Sequence, residues 1–104
     1  MAKFLFVYHG GKPAANDAEK KKVYDAWGAW FGGLAKAVID GGNPCGPSST
    51  VHANGKVSDG GGANPATGYS LIEAANLADA LSKAKTCPLL SAGGSVEVAQ
   101  AMDM

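Results

Sequence analysis

His52 and Asp59 are the two side chains whose spacing best predicts acid–base chemistry. They flank Asn54-Gly55, the dipeptide most typical of a tight turn between two short β-strands. If those two residues alone form the turn, His52 lies opposite Val57, and Asp59 is its diagonal neighbour on the same face. A carboxylate beside an imidazole raises the pKa of the imidazole and orients it for proton transfer. We therefore predict His52 and Asp59 as a catalytic pair, the alternative being an exposed pair without a role.

Four other residues are expected to line a small-molecule pocket: His9, Trp27, Asn64 and Tyr69. His9 ends an apolar run beside two glycines, where an imidazole can act as an acid, a base or a ligand contact, or can bond a loop carbonyl. Trp27 belongs to the run Trp27-Gly-Ala-Trp-Phe31, whose rings either pack in the core or form a wall for a planar ligand. Asn64 and Tyr69 lie in a glycine-rich segment.

That segment, SDGGGANPATGY over residues 58–69, allows three interpretations. A phosphate-binding loop joins a strand to a helix and aims backbone N–H groups at the anion. This segment instead precedes a strand, and no Gly-Lys-Ser/Thr follows it, so a nucleotide site is not expected. Two interpretations stay open: a connection between strands, in which Asn64-Pro65 starts a turn, or the lip of a pocket, where glycine lets the backbone approach a ligand.

No metal site and no cofactor are predicted. His9, His52, Cys45 and Cys87 occur singly, without the C-x-x-C or H-x-x-x-H spacing of metal ligands. The chain also lacks the G-x-S-x-G turn of serine hydrolases.

The elements that must position these residues can be read from hydrophobic periodicity and end signals. In chain order these are a strand over 3–8, a helix that begins after Asn16 and ends at Asp40-Gly41-Gly42-Asn43-Pro44, hairpin strands over 49–53 and 56–59, a strand over 69–74, a helix between Asn76 and Pro88, and a strand over 95–99. This β-α-β-β-α-β order predicts a ferredoxin-like α+β fold: an antiparallel sheet with both helices on one face.

The first strand predicts a second copy of the chain. Phe4, Phe6 and Tyr8 point to one face of the sheet, and Leu5 and Val7 point to the other. Helices cover only one face in this fold. The simplest way to bury the uncovered face is to pack it on the same face of a second copy, because a self-complementary surface forms a two-fold dimer. We therefore expect a homodimer packed through the sheet face.

Length and charge limit the remaining partners. The 104 residues indicate a single domain over 1–104, and nine Lys or Arg balance nine Asp or Glu. A chain without net charge has no field to attract nucleic acid or an anionic membrane, so neither is expected as a partner. The first residues are interpreted as a strand and not as an export signal. We expect a cytoplasmic protein whose Cys45 and Cys87 are reduced.

Several short motifs, taken in order, resemble the YCII-related family, and in particular its DGPF-type branch of small bacterial proteins. They are Tyr8-His-Gly-Gly11, Trp27-Gly-Ala-Trp-Phe31, Asp40-Gly-Gly-Asn-Pro44, residues 58–69 and Gly93-Gly-Ser-Val-Glu-Val98. The resemblance implies a dimeric α+β barrel with a pocket between the helices and the sheet of each subunit. It also implies relatives that are lyases or dehydrochlorinases of small ring compounds, and others without an established activity.

One departure from that pattern bears on activity. In the catalytic branch, a first-helix histidine pairs with the aspartate of an Asp-Pro step after the second helix. Here Cys87-Pro88 occupies the Asp-Pro position, and residues 25–27 contain no histidine. Two hypotheses follow. The first is a pocket that binds a compact cyclic or aromatic metabolite, with lyase- or isomerase-type chemistry if His9 or the His52–Asp59 pair substitutes. The alternative is a non-catalytic regulatory or protein-interaction dimer.

Overall fold

Two α-helices and two antiparallel sheets make up the protein in the computed structural model, which describes residues 1–104. The strands are β1 (Ala2–His9), β2 (Val38–Asp40), β3 (Ser49–Val51), β4 (Val57–Asp59), β5 (Ala66–Ala74) and β6 (Ser95–Ala101); the helices are α1 (Asp17–Leu34) and α2 (Leu77–Ala84), with 3₁₀ turns at Ala35–Ala37 and Pro88–Ala92. The larger sheet has four strands in the order β2-β5-β1-β6. The predicted α+β class with an antiparallel sheet is confirmed.

Both helices begin where the sequence predicts. The Asn16 side chain accepts the backbone N–H of Glu19, and the Glu19 carboxylate accepts that of Ala15. Asn76 and Asp79 repeat this arrangement at the start of α2. Each reciprocal cap satisfies N–H groups that have no partner inside the helix.

The end of the first helix was predicted wrongly. α1 ends at Leu34, and Val38–Asp40 forms β2, the edge strand that pairs with β5. Ala35 adopts a φ of 51°, which breaks the helical path, and the β-branched pair Val38-Ile39 favours an extended strand. The predicted hairpin does form, as β3 and β4, but it is a separate two-stranded sheet and not part of the main one.

One face of the four-stranded sheet carries the core. The hydrophobic core consists of nine buried residues from the strands, the helices and the turn after α2: Phe4, Phe6, Tyr8, Trp30, Ile72, Ala74, Ala80, Ala84 and Cys87. Burial raises the pKa of the Cys87 thiol to about 11, so this cysteine is protonated at neutral pH. The other face is open: Leu5 and Tyr69 are each 37% exposed.

The apolar residues of α1 are mostly only partly buried. Trp30 is the one buried residue of α1, and Val23 is 46% exposed. Gly28, Gly32 and Gly33 face open space, because a Cβ at any of them would meet no atom within 4 Å. Neither helix is both long and apolar enough to cross a bilayer.

Candidate functional site

One face of α1 forms the wall of a cavity of about 520 Å³, here called the aromatic pocket. Lys20, Val23, Tyr24, Trp27 and Phe31 line it. These residues recur at three- and four-residue intervals, so they lie on one side of the helix. A cavity of this size is within the range of small-molecule sites.

The opposite wall comes from the segment Gly41–Pro44 and from the start of β5. Gly42 has a φ of 73°, and a Cβ there would lie 1.7 Å from the carbonyl oxygen of Tyr69. Only glycine therefore lets this segment pass so close to β5. Gly68 adds to the same effect, because a Cβ at Gly68 would sit 3.2 Å from the Tyr8 ring.

Tyr8 contributes the most buried polar group of the pocket. Its hydroxyl donates to Ser70 Oγ at 2.7 Å, and Ser70 donates in turn to the carbonyl of Gly41 at 2.7 Å. Burial raises the pKa of Tyr8 to about 12. The hydroxyl is therefore protonated at neutral pH, where it can orient a polar group but cannot act as a base.

The two tryptophans have different roles. Trp30 is buried, and its Nε1 donates to Lys83 O at 3.2 Å and to Thr86 Oγ1 at 3.0 Å. Trp27 lines the pocket, stacks edge-on against Tyr8 with ring centroids 5.0 Å apart, and has no acceptor within the protein for its N–H. The sequence predicted that one tryptophan would reach a pocket, and Trp27 does so.

His9 was expected at the pocket, but the structure buries it at the end of β1, on the sheet face opposite Tyr8. In the β1–β6 ladder it pairs with Ser95, on the same side as Val7. Its Nε2 lies 2.8 Å from Glu97 Oε1, and its Nδ1 lies 3.2 Å from the carbonyl oxygen of Pro65. The bond to Glu97 is the main cause that raises the pKa of His9, and Pro65 adds to it.

The glycine-rich segment connects β4 to β5 and lines a second, polar cavity of about 500 Å³. Residues 45–49, 59–62 and 65–67 form its walls. Gly60 N–H donates to Ser48 O at 2.7 Å, and Thr50 Oγ1 donates to Gly60 O at 2.6 Å. Asn64 lies in this connection but lines neither cavity. The segment thus connects strands and lines a polar cavity, and its last three residues, Thr67, Gly68 and Tyr69, also border the aromatic pocket.

The predicted register of the hairpin is wrong by one residue. Ser49 pairs with Asp59 and Val51 with Val57, and the His52 N–H donates to Lys56 O, which leaves three residues in the loop. A shift of one residue moves a side chain to the other face. His52 therefore bonds Ser58 Oγ at 2.8 Å, and Asp59 lies on the opposite face.

Of the four residues predicted to line a pocket, Trp27 and Tyr69 meet at one cavity. Tyr69 pairs with Val7, so its side chain belongs to the open face and it borders the pocket beside Gly42. The sequence reasoning missed Lys20 and Tyr24. Their spacing of seven and three residues from Trp27 was the signal that could have found them. No group of three or more His, Cys, Asp or Glu side chains is placed to hold a metal ion.

No protein-family model matches the chain. No curated protein matches it either.

Proposed function

We propose that the protein binds a compact aromatic or cyclic metabolite in the aromatic pocket and works as a homodimer. The main support for this proposal is the pocket itself, an apolar cavity of about 520 Å³ with Trp27 and Phe31 on one wall. Flat rings stack favourably on such side chains. The Trp27 N–H is available to donate to a ligand, and the Tyr8 hydroxyl, whose proton goes to Ser70, can accept; a few polar groups in an apolar lining are the usual composition of a ligand site.

The pocket supports binding, whereas lyase- or isomerase-type turnover has no histidine or carboxylate in the lining to support it. Neither His9 nor the His52–Asp59 pair borders the aromatic pocket. His52 and Asp59 border different surfaces of the hairpin, so proton transfer between them has no support from the geometry. The titratable groups that line the pocket are the ammonium of Lys20 and the hydroxyls of Tyr8, Tyr24 and Tyr69, so a reaction there would have to use one of these.

A filled pocket tests the binding proposal. Val23→Trp places a large ring in the lining, whereas Val51→Trp places the same ring on the exposed hairpin. We would screen phenols, aromatic carboxylates and lactones by thermal shift. A ligand at 100 times its Kd stabilises the native state by about 2.7 kcal/mol, a shift of several degrees. The expected result is a hit that Val23→Trp abolishes and Val51→Trp retains. A screen without hits, or hits that Val23→Trp leaves intact, would reject the pocket.

The dimer is supported by the open sheet face. Leu5 lies beside Leu71, and Val7 beside Tyr69, on a face that no helix covers. The chain is also flat, with extents of 43 × 42 × 18 Å, as expected for half of a two-layer assembly. The strand order β2-β5-β1-β6 favours the ferredoxin-like, dimeric α+β barrel arrangement that the family resemblance implies.

Light scattering of two matched variants tests the dimer. Leu5→Glu puts a charge on the open sheet face, and Leu77→Glu puts the same charge on the exposed side of α2. We expect a dimer for the unmodified protein and for Leu77→Glu, and a monomer for Leu5→Glu. A monomeric unmodified protein at micromolar concentration would refute the proposal.

A regulatory or protein-interaction dimer is the second candidate. The pocket lining contains no histidine and no carboxylate, which favours a role without turnover. Capture of a defined protein partner that Val23→Trp does not disturb, together with an empty ligand screen, would favour this candidate.

A further inference from the structure

The aromatic pocket has one charged residue in its lining, and that residue is the cation Lys20. The ion pairs of the protein are His9–Glu97 and Lys83–Asp79, so no carboxylate neutralises the Lys20 ammonium. No aspartate or glutamate lines the cavity. An apolar cavity with an unpaired, exposed cation at its edge favours an anionic ligand, because no carboxylate of the protein competes for the ammonium group.

Lys20 lies two helical turns before Trp27, about 10 Å along the axis of α1. Side chains on a helix lean toward its N-terminus, so the Trp27 ring and the Lys20 side chain both extend in that direction along α1. Val23 lies between them on the same face. A ring that packs on Trp27 can therefore direct a substituent along the helix toward the ammonium group.

We infer that the ligand is a compact aromatic or cyclic carboxylate, whose ring packs on Trp27 and Phe31 and whose carboxylate faces Lys20. The inference rests on the proposed function, because it uses the same pocket. It adds the charge of the ligand and the residue that selects it. Lys20 is then a specificity residue, and the apolar wall supplies binding that does not depend on charge.

Two neighbouring lysines provide matched controls. Lys21 and Lys22 lie on the same helix and are exposed, as Lys20 is, but neither lines the pocket. Lys20→Gln and Lys21→Gln therefore change the net charge equally, and only the first removes a cation from the cavity edge. Any effect of overall charge appears in both variants.

The experiment compares benzoate with its neutral amide, benzamide, by calorimetric titration at low and moderate salt. We expect the unmodified protein to prefer benzoate by at least fivefold, and this preference to fall as salt rises. Lys20→Gln should abolish the preference by weakening benzoate binding much more than benzamide binding, whereas Lys21→Gln should retain it. Equal binding of both compounds by the unmodified protein would overturn the inference and leave the pocket proposal intact. Binding of neither compound would count against both, and a preference that survives Lys20→Gln would remove Lys20 from the selection.

Discussion

His9 Nε2 lies 2.8 Å from Glu97 Oε1, between neighbouring strands β1 and β6. The other ring nitrogen, Nδ1, lies 3.2 Å from the carbonyl oxygen of Pro65. Both partner atoms are acceptors, so only the imidazolium, protonated at both nitrogens, can donate both bonds. His9 therefore ties Pro65 of the glycine-rich segment to strands β1 and β6 in a manner that depends on pH.

Replacement of Glu97 should lower the pKa of His9. The hydrogen bond to Glu97 is the largest cause that raises this pKa above its usual 6.5, and Glu97→Gln removes the negative charge from it. An NMR titration of the His9 ring protons measures the change. Glu73→Gln is the control, because Glu73 lies on β5 opposite Lys3, far along β1 from His9. An unchanged His9 pKa in Glu97→Gln would contradict the pairing.

The same pair makes stability depend on pH. A raised folded-state pKa means that the folded protein holds its proton more tightly than the unfolded chain, so the contribution of His9 is complete below pH of about 6.5. It is lost as pH rises through the raised value. Urea unfolding should thus show a free energy of unfolding that falls from pH 6 upward, with a smaller fall in Glu97→Gln. Equal slopes in the two proteins would show that His9 does not contribute.

The Tyr8–Ser70 hydrogen bond predicts unequal effects of its two deletions. Ser70→Ala leaves the buried Tyr8 hydroxyl and the Gly41 carbonyl without this partner, a loss of about 1–3 kcal/mol. Tyr8→Phe leaves Ser70 bonded to Gly41 and should cost about 0.5–1.5 kcal/mol. Since the two residues are in contact, the double variant should lose less than the sum. Urea denaturation of the four proteins gives these values, and strict additivity would argue against the bond.

Local features of the fold were predictable from the sequence, and non-local ones were not. The caps at Asn16 and Asn76 depend on residues three positions apart, so the sequence shows them directly. Strand β2 was not predicted because Val38–Asp40 is too short to show an alternating pattern. It is also an edge strand whose partner, β5, lies about 30 residues away along the chain. Asn54-Gly55 suits a two-residue turn, but Gly55, at a φ of 84°, here closes a three-residue loop.

The candidate site shows the same division. Trp27 was found from the aromatic run on α1, whereas the opposite wall at Gly41–Pro44 depends on where β2 lies. The position of His9 could have been predicted from strand alternation alone: residues 5, 7 and 9 share a face, opposite Tyr8. The predicted pairing of His52 with Asp59 was wrong because a shift of one residue in the strand register moves a side chain to the opposite face of the hairpin.

The exposed glycines of α1 predict stabilising substitutions. A Cβ at Gly28 or Gly32 meets no atom within 4 Å, and neither residue has a positive φ. Alanine should therefore raise the free energy of unfolding by about 0.5–1 kcal/mol at each position. Gly93 is the control: it has equal space but a φ of 82°, so Gly93→Ala should destabilise the protein. Loss of stability at Gly28 or Gly32, measured by thermal melting, would instead indicate a second copy packed against this helix.

Gly42 should tolerate no side chain, because the pocket wall depends on its close approach to β5. A Cβ at Gly42 would overlap the backbone of Tyr69, and its φ of 73° also disfavours any other residue. Gly41 precedes it in the same segment, and a Cβ there meets no atom within 4 Å. We expect Gly42→Ala to lose about 2 kcal/mol or more of stability in urea denaturation, and Gly41→Ala to lose less than about 1 kcal/mol. Once a ligand of the aromatic pocket is known, Gly42→Ala should also weaken its binding, because residues 41–44 must move away from β5 to make room for the methyl group. Equal stability of the two variants would show that residues 41–44 do not pack on β5 as described.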